Sequence, residues 1–109
     1  MTLTQVATMI RGFENLGIQT AYFQFSENAE VQPPYAVYFY SNRDDFVADN
    51  LNHVKIEVLR IELYTNAKDF TLEASVEALL PFPFSKETTY IDSERLYETI
   101  YETEVIING

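Results

Sequence analysis

The chain has no cysteine and no tryptophan, three glycines, one histidine, and seven lysines and arginines in all. Without cysteine there is neither a disulfide framework nor a thiolate zinc site. That fits the cytosol of a cell, or a particle assembled there. Gly12, Gly17 and Gly109 are too few and too scattered to cradle a phosphate. His53 cannot build a metal centre alone. Only Glu57 shares a ligand spacing with it on a strand, so a surface or turn histidine is expected. His53 is also the one available base for serine catalysis. None of Ser26, Ser41, Ser75, Ser85 and Ser93 stands in a Gly-x-Ser-x-Gly elbow. No run approaches ~18 apolar residues, so no membrane span is expected. The opening MTLTQVATMIRGF lacks the basic start and apolar centre of a signal peptide.

What is present is acid and aromatic. The formal net charge of −10 argues against free binding to nucleic acid or anionic lipid, which need surplus Lys and Arg. Apolar residues make up 47% of the chain, too many for a disordered segment. A length of 109 residues suits a single domain over 1–109. Eight Tyr and eight Phe make an aromatic-rich set; many suit core or strand positions, and a surplus of exposed Tyr would suit contact surfaces. Asp44-Asp45 is the tightest acidic pair. A glycosidase needs two carboxylates across a cleft, and a solvated turn is the expected state here. No enzyme, no cofactor and no metal are expected.

The organising stretch is 53–66, HVKIEVLRIELYTN. Leu59, Ile61 and Leu63 fall on one strand face, and Arg60, Glu62 and Tyr64 on the other. Upstream, Val54, Ile56 and Val58 keep the opposite parity. A β-bulge between Val58 and Leu59 would let both halves face one core. Two short strands, or one strand covered on both faces, fit the same pattern.

Around that stretch, residues 2–16 read as an amphipathic helix with Leu3, Val6, Ala7, Ile10 and Phe13 as its stripe. Thr2 and Gln5 have capping-box spacing, and Gly17 is placed to end the helix. A strand is expected over 18–25, and the loop SENAEVQPP resets chain direction. A strand over 35–40 leads to a hairpin whose tip holds Asn42, Arg43, Asp44 and Asp45, then a short strand over 46–50. Asn50-Leu51-Asn52 turns into the organising strand, giving an antiparallel meander. Asn66 is expected to cap a second helix over 67–80, with Leu72, Val76, Leu79 and Leu80 buried and Glu73 and Glu77 outward. Pro81 and Pro83 stop it, and Phe82 and Phe84 alternate with them in an extended segment. Strands over 85–91 and 96–107 follow. In the last, Tyr97, Thr99, Tyr101, Thr103, Val105 and Ile107 share an uncharged face that should meet the core. Glu98, Glu102 and Glu104 share the other with Leu96, Ile100 and Ile106, the pattern of a surface that is partly wet or meets a partner. The expected class is α+β: a mostly antiparallel sheet with two helices packed on one face, in the order α-β-β-β-(β)-α-β-β. A small barrel-like sheet is the alternative.

Four segments together form a recognisable pattern: Pro33-Pro34-Tyr35, Ala48-Asp49-Asn50, Ile61 to Thr65, and Tyr90 to Glu102. In that order they resemble the small tail-completion, or tail-terminator, proteins of long-tailed phages and prophages of Gram-positive bacteria. Pro81-Phe82-Pro83-Phe84 is more proline-rich than that pattern. The resemblance implies a non-enzymatic virion protein of the tail or neck, assembled in the host cytoplasm. It implies a ring, six copies in all, on the head-proximal end of the tail tube. Its partners would be the tail tube protein and head-completion or neck proteins, with DNA passing through the ring without specific binding. Another neck adaptor or a minor tail or capsid-associated protein is the alternative; a small acidic enzyme or a DNA-mimicking protein is the remote one. The candidate interface or lumen residues are Asn42, Arg43, Asp44, Asp45, Glu98, Glu102 and Glu104.

Overall fold

The computed structural model describes residues 1–48, 52–81 and 83–108, with side chains described for 1–41, 55–81 and 83–107. Helix α1 spans Leu3–Asn15. The Gln5 amide donates to the Thr2 hydroxyl at 3.3 Å, and the Thr2 amide donates to the Gln5 side chain at 2.8 Å. This reciprocal cap satisfies two amides that a helix start leaves open. Gly17, at φ +81°, takes the left-handed turn after the helix. The buried stripe is Val6, Met9 and Phe13, with Ile10 packed against it. Leu3 and Ala7, expected in that stripe, are exposed. At about 100° per residue, Leu3 lies about 80° and Ala7 about 120° from Phe13 around the helix, whereas Met9 lies within about 40°.

Strand β1, Gln19–Tyr22, is shorter than the expected 18–25. Phe23 ends it by adopting φ +69°. Strand β2 runs Tyr35–Ala48 and β3 runs Asn52–Thr65. β1 pairs with β2 in parallel, because the segment 23–34 carries the chain back to the end where β1 began. The expected three-strand meander is instead one long hairpin of β2 and β3. Asn42, Arg43, Asp44 and Asp45 are not its tip. They pair within β2 opposite Val58, Glu57, Ile56 and Lys55. The turn residues of SNRDD yield to the ladder that β3 offers. The chain reverses between Ala48 and Asn52; Asn50 and Leu51 of the expected turn, and Asp49 before them, lie outside the described residues.

Helix α2 spans Phe70–Glu77, shorter than 67–80. Asp69, not Asn66, is its cap: the Leu72 amide donates to its carboxylate at 3.0 Å. Strand β4 is Ser85–Ile91 and β5 is Leu96–Asn108. Thr103 donates its hydroxyl to the Pro83 carbonyl at 3.1 Å, fixing the approach to β4. Phe82, expected in an extended segment with Phe84, lies outside the described residues.

The sheet order is β1-β2-β3-β5-β4, with β1–β2 the one parallel pair among the described strands. Both helices lie on the same side, so the α+β class with a mostly antiparallel sheet holds. Beneath them Leu59, Ile61 and Leu63 are fully buried, beside Tyr101 and Val105 of β5. Each such side chain contributes roughly 1.5–3 kcal/mol on burial. The uncharged face of β5 meets the core as its parity required.

β3 itself is unbroken where its apolar parity switches. Val58 pairs with Glu104 and Leu59 with Thr103 without a shift. The bulge lies in the partner strand, where Ser41 is the extra residue between Tyr40 and Asn42. Leu59 therefore faces the helices, while Ile56 and Val58 face the opposite side of the sheet. Of the readings open for this stretch, one strand with apolar residues on both faces is the observed one.

Candidate interaction surface

The sheet face turned away from the helices gathers aromatics and carboxylates, and no helix covers it among the described residues. Strand register brings them together. Tyr35 of β2 stacks on Tyr64 of β3, with centroids 4.9 Å apart and planes 24° from parallel. Phe25 meets Tyr35 edge-on, and Phe23 meets Phe39. Phe23 is 62% exposed, the marker of an aromatic that the fold leaves available. Val37, between Tyr35 and Phe39 on the same strand, is buried although it lies outside the helix-side core.

At the centre of this face the Arg60 Nε donates to Glu62 Oε2 at 2.8 Å. The Tyr64 hydroxyl lies 2.7 Å from Glu98 Oε2 and 3.0 Å from Glu62 Oε1. A hydroxyl has one proton, so it serves the two carboxylates in turn. Burial raises the Tyr64 pKa above its ordinary value, and the hydrogen bond to Glu98 adds to that. The phenol stays protonated and separates the two acids. Glu98, Glu102 and Glu104, expected on one face, do share it, opposite Tyr64, Arg60 and Val58. With Glu62 they set four carboxylates against one guanidinium.

The other expected candidates, Asn42, Arg43, Asp44 and Asp45, take register positions in β2, two strands from those glutamates in the order β2-β3-β5. The register does not bring the two groups into one site. Their side chains, and that of His53, which pairs in β3 with Val47, lie outside the described residues. Tyr64, Glu62 and Arg60 were visible as a polar strand face, but only the β3–β5 register shows that they meet Glu98.

A second polar cluster lies on the helix side. Glu73, expected outward, is 2% exposed. It sits about 60° from Val76 around the helix, within the buried side, and its charge is matched by two lysines. Lys68 Nζ and Lys86 Nζ each lie 2.8 Å from it. Glu77, also expected outward, is half-buried. It accepts from Lys86 at 2.7 Å and from the Tyr101 hydroxyl at 2.9 Å. Burial raises the Glu73 pKa, but hydrogen bonds from Lys68 and Lys86 outweigh it and hold the carboxyl below its ordinary value. Burial, and after it the hydrogen bond to Glu77, raises the Tyr101 pKa. No buried side-chain polar atom among the described residues lacks a partner, so the cluster reads as a clamp between α2 and the β4–β5 pair. Among the described residues no group of three or more His, Asp or Glu could hold a metal ion. No described helix is long and apolar enough to cross a membrane.

No family model and no curated protein matches the chain. Among solved structures, a chain from "Virion of native gene transfer agent (GTA) particle" is similar in fold. The TM-score is 0.65 at 12% identity, over 95% of this chain and 92% of that one. The two chains share an architecture from end to end.

Proposed function

We propose that this chain is a structural, non-enzymatic virion protein. In this reading it forms a ring, six copies in all, at the head-proximal end of a phage tail, where it stops tube polymerisation and joins tail to head. The observation that carries the reading is the end-to-end fold likeness to a chain of a virion particle. The ordered segments that resemble tail-terminator proteins supply the finer role. An open sheet face and two edge strands, β1 and β4, give copies and neighbours something to cover.

Six copies would carry a charge of about −60 before counterions respond. An acidic opening repels DNA over about 8 Å at physiological salt and keeps its passage free of phosphate binding. Asp44 and Asp45, or Glu98, Glu102 and Glu104, would supply that lining.

The test is deletion of the gene from a phage that encodes it, followed by electron microscopy of the tails. Overgrown tubes of uneven length are expected. Tails of normal length lying unjoined beside filled heads would make the chain a neck adaptor instead. Normal, joined and infectious particles would overturn both. Native mass measurement of the purified chain with tubes would show whether six copies sit on each tube end. For the lining, Asp44→Lys with Asp45→Lys in particles that still assemble should slow DNA ejection; unchanged ejection would remove those two acids from the passage.

A further inference from the structure

The two ends of the sheet carry strands that match each other. β1 and β4 are outermost in the order β1-β2-β3-β5-β4, and each pairs along one edge among the described residues. Ser85 to Tyr90 of β4 are all exposed. Edge strands are commonly guarded by charge, above all by lysine. β1, with the sequence QTAY, has no charged residue. On β4 the charges are Lys86 and Glu87, and Lys86 is turned inward to Glu73 and Glu77 at 2.8 and 2.7 Å. Thr88, Thr89, Tyr90 and Ile91 are uncharged and of types that suit a sheet. In a chain of net charge −10, two uncharged edges are where copies can meet without setting like charges together.

Direction and facing agree as well. β1 runs with β2 and β5, and against β3 and β4. Laid beside β4 with the helices of both copies on the same side, the β1 of a second copy is therefore antiparallel to it. Tyr22 lies on the helix side, where its ring meets Tyr38 and Tyr40. Tyr90 lies on that side too, against Tyr97 and two residues from Thr88, which accepts from Lys68. These two tyrosines are 54% and 46% exposed, so each edge offers an aromatic to the other. Setting Gln19 opposite Ile91 brings Thr20 opposite Tyr90, Ala21 opposite Thr89 and Tyr22 opposite Thr88. That register pairs no charge, and it makes Tyr22 a diagonal neighbour of Tyr90, about 7–8 Å away and within aromatic reach. A two-fold contact between two β4 strands would cover those edges and leave both β1 edges open. A head-to-tail contact covers one edge with the other at every step.

We propose that β1 of one copy adds to β4 of the next in this register, so that the sheet continues from subunit to subunit. The inference rests on the ring reading and names the contact that builds the ring.

The chain has no cysteine, so engineered disulfides report the contact without background. Ala21→Cys and Thr89→Cys lie four strand spacings apart within one chain, about 19 Å, too far to bond each other. The purified chain, and tails assembled with it, are oxidised and run on denaturing gels without reductant. Either variant alone should stay a monomer, and a mixture of the two should give a linked dimer. The double variant should give a series of linked products that ends at the full ring. Gln19→Cys with Ile91→Cys, the next pair on that face, should do the same, and serves if urea titration shows the first pair to fold poorly. The inference is overturned if the single variants dimerise as readily as their mixture, or if the double variant stops at the dimer. It is also overturned if Glu87→Cys in place of Thr89→Cys links equally well, since the uncharged register would then be wrong. Tails that hold the chain and give no linked series overturn the contact and leave the virion reading standing. A linked series from the purified chain, with none of the chain in tails, keeps the contact and overturns the virion reading.

Discussion

Gly12 and Leu79 meet where α1 packs on the turn that ends α2: a methyl at Gly12 would fall 2.8 Å from Leu79 Cδ1 and 2.9 Å from Cδ2. Both contacts are closer than carbon atoms tolerate, so the Leu79 side chain must swing about its Cα–Cβ bond, which carries both Cδ atoms off the core they pack against. Gly12→Ala should gain up to about 1 kcal/mol from helix propensity and lose more to overpacking, which costs about 1–3 kcal/mol. A net loss of roughly 1 kcal/mol is expected in urea titration. In a Leu79→Ala background the clash is gone and Gly12→Ala should stabilise. No change of sign between the backgrounds would mean that the contact does not limit this position.

Ile61 lies between Tyr38 of β2 and Tyr101 of β5 in the ladder and is fully buried. Replacing it by Ala should cost about 2–5 kcal/mol, since a small core closes poorly over the space. A loss under about 1 kcal/mol would show that the centre of the sheet packs more loosely than this register implies.

These two sites differ in how far the chain order discloses them. Ile61 was legible because strand parity is local, and so was the Thr2–Gln5 cap. Gly12 looked like an ordinary helical residue, because its neighbour lies 67 positions away. Glu73 was misjudged for the same reason. Its burial depends on Lys68, before the helix, and Lys86, on another strand. The SNRDD segment carries turn residues, yet β3 provides a full-length partner, and pairing overrides propensity. On the open face, parity separated Glu98 from Tyr97 but could not place it against Tyr64.

The Glu73 clamp should set the pH range of stability. Glu73 and Glu77 are held below their ordinary value of 4.5. Their contribution is present above that value and is lost as pH falls through the folded-state pKa. Tyr101 is raised above its ordinary 10.0, and Lys86 above 10.5. Their contribution is complete below those values and is lost as pH rises past them. Urea midpoints should therefore fall off below pH 4.5 and above pH 10. Glu73→Gln should cost about 1–3 kcal/mol at neutral pH by leaving Lys68 and Lys86 short of an acceptor. It should also flatten the acid limb, and an acid limb of unchanged slope would mean that other carboxylates control it.

Tyr64→Phe removes one oxygen from the centre of the open face and keeps the ring that stacks on Tyr35. The hydroxyl is the shared donor between Glu62 and Glu98. Without it Glu62 keeps Arg60, and Glu98 loses a partner beside another carboxylate. A loss of about 1 kcal/mol is expected, the ordinary net worth of such a hydrogen bond. Part of that loss is repulsion between two part-buried acids, so it should shrink modestly in ~1 M salt, where screening acts within about 3 Å. Tyr64→Leu should cost more, because it also removes the stack on Tyr35, and salt should recover little of the difference. The comparison separates the hydroxyl from the ring. Equal losses in both variants would show that the ring contributes nothing. A Tyr64→Phe loss that salt leaves untouched would show that the hydroxyl acts as a plain hydrogen bond rather than as a spacer between acids.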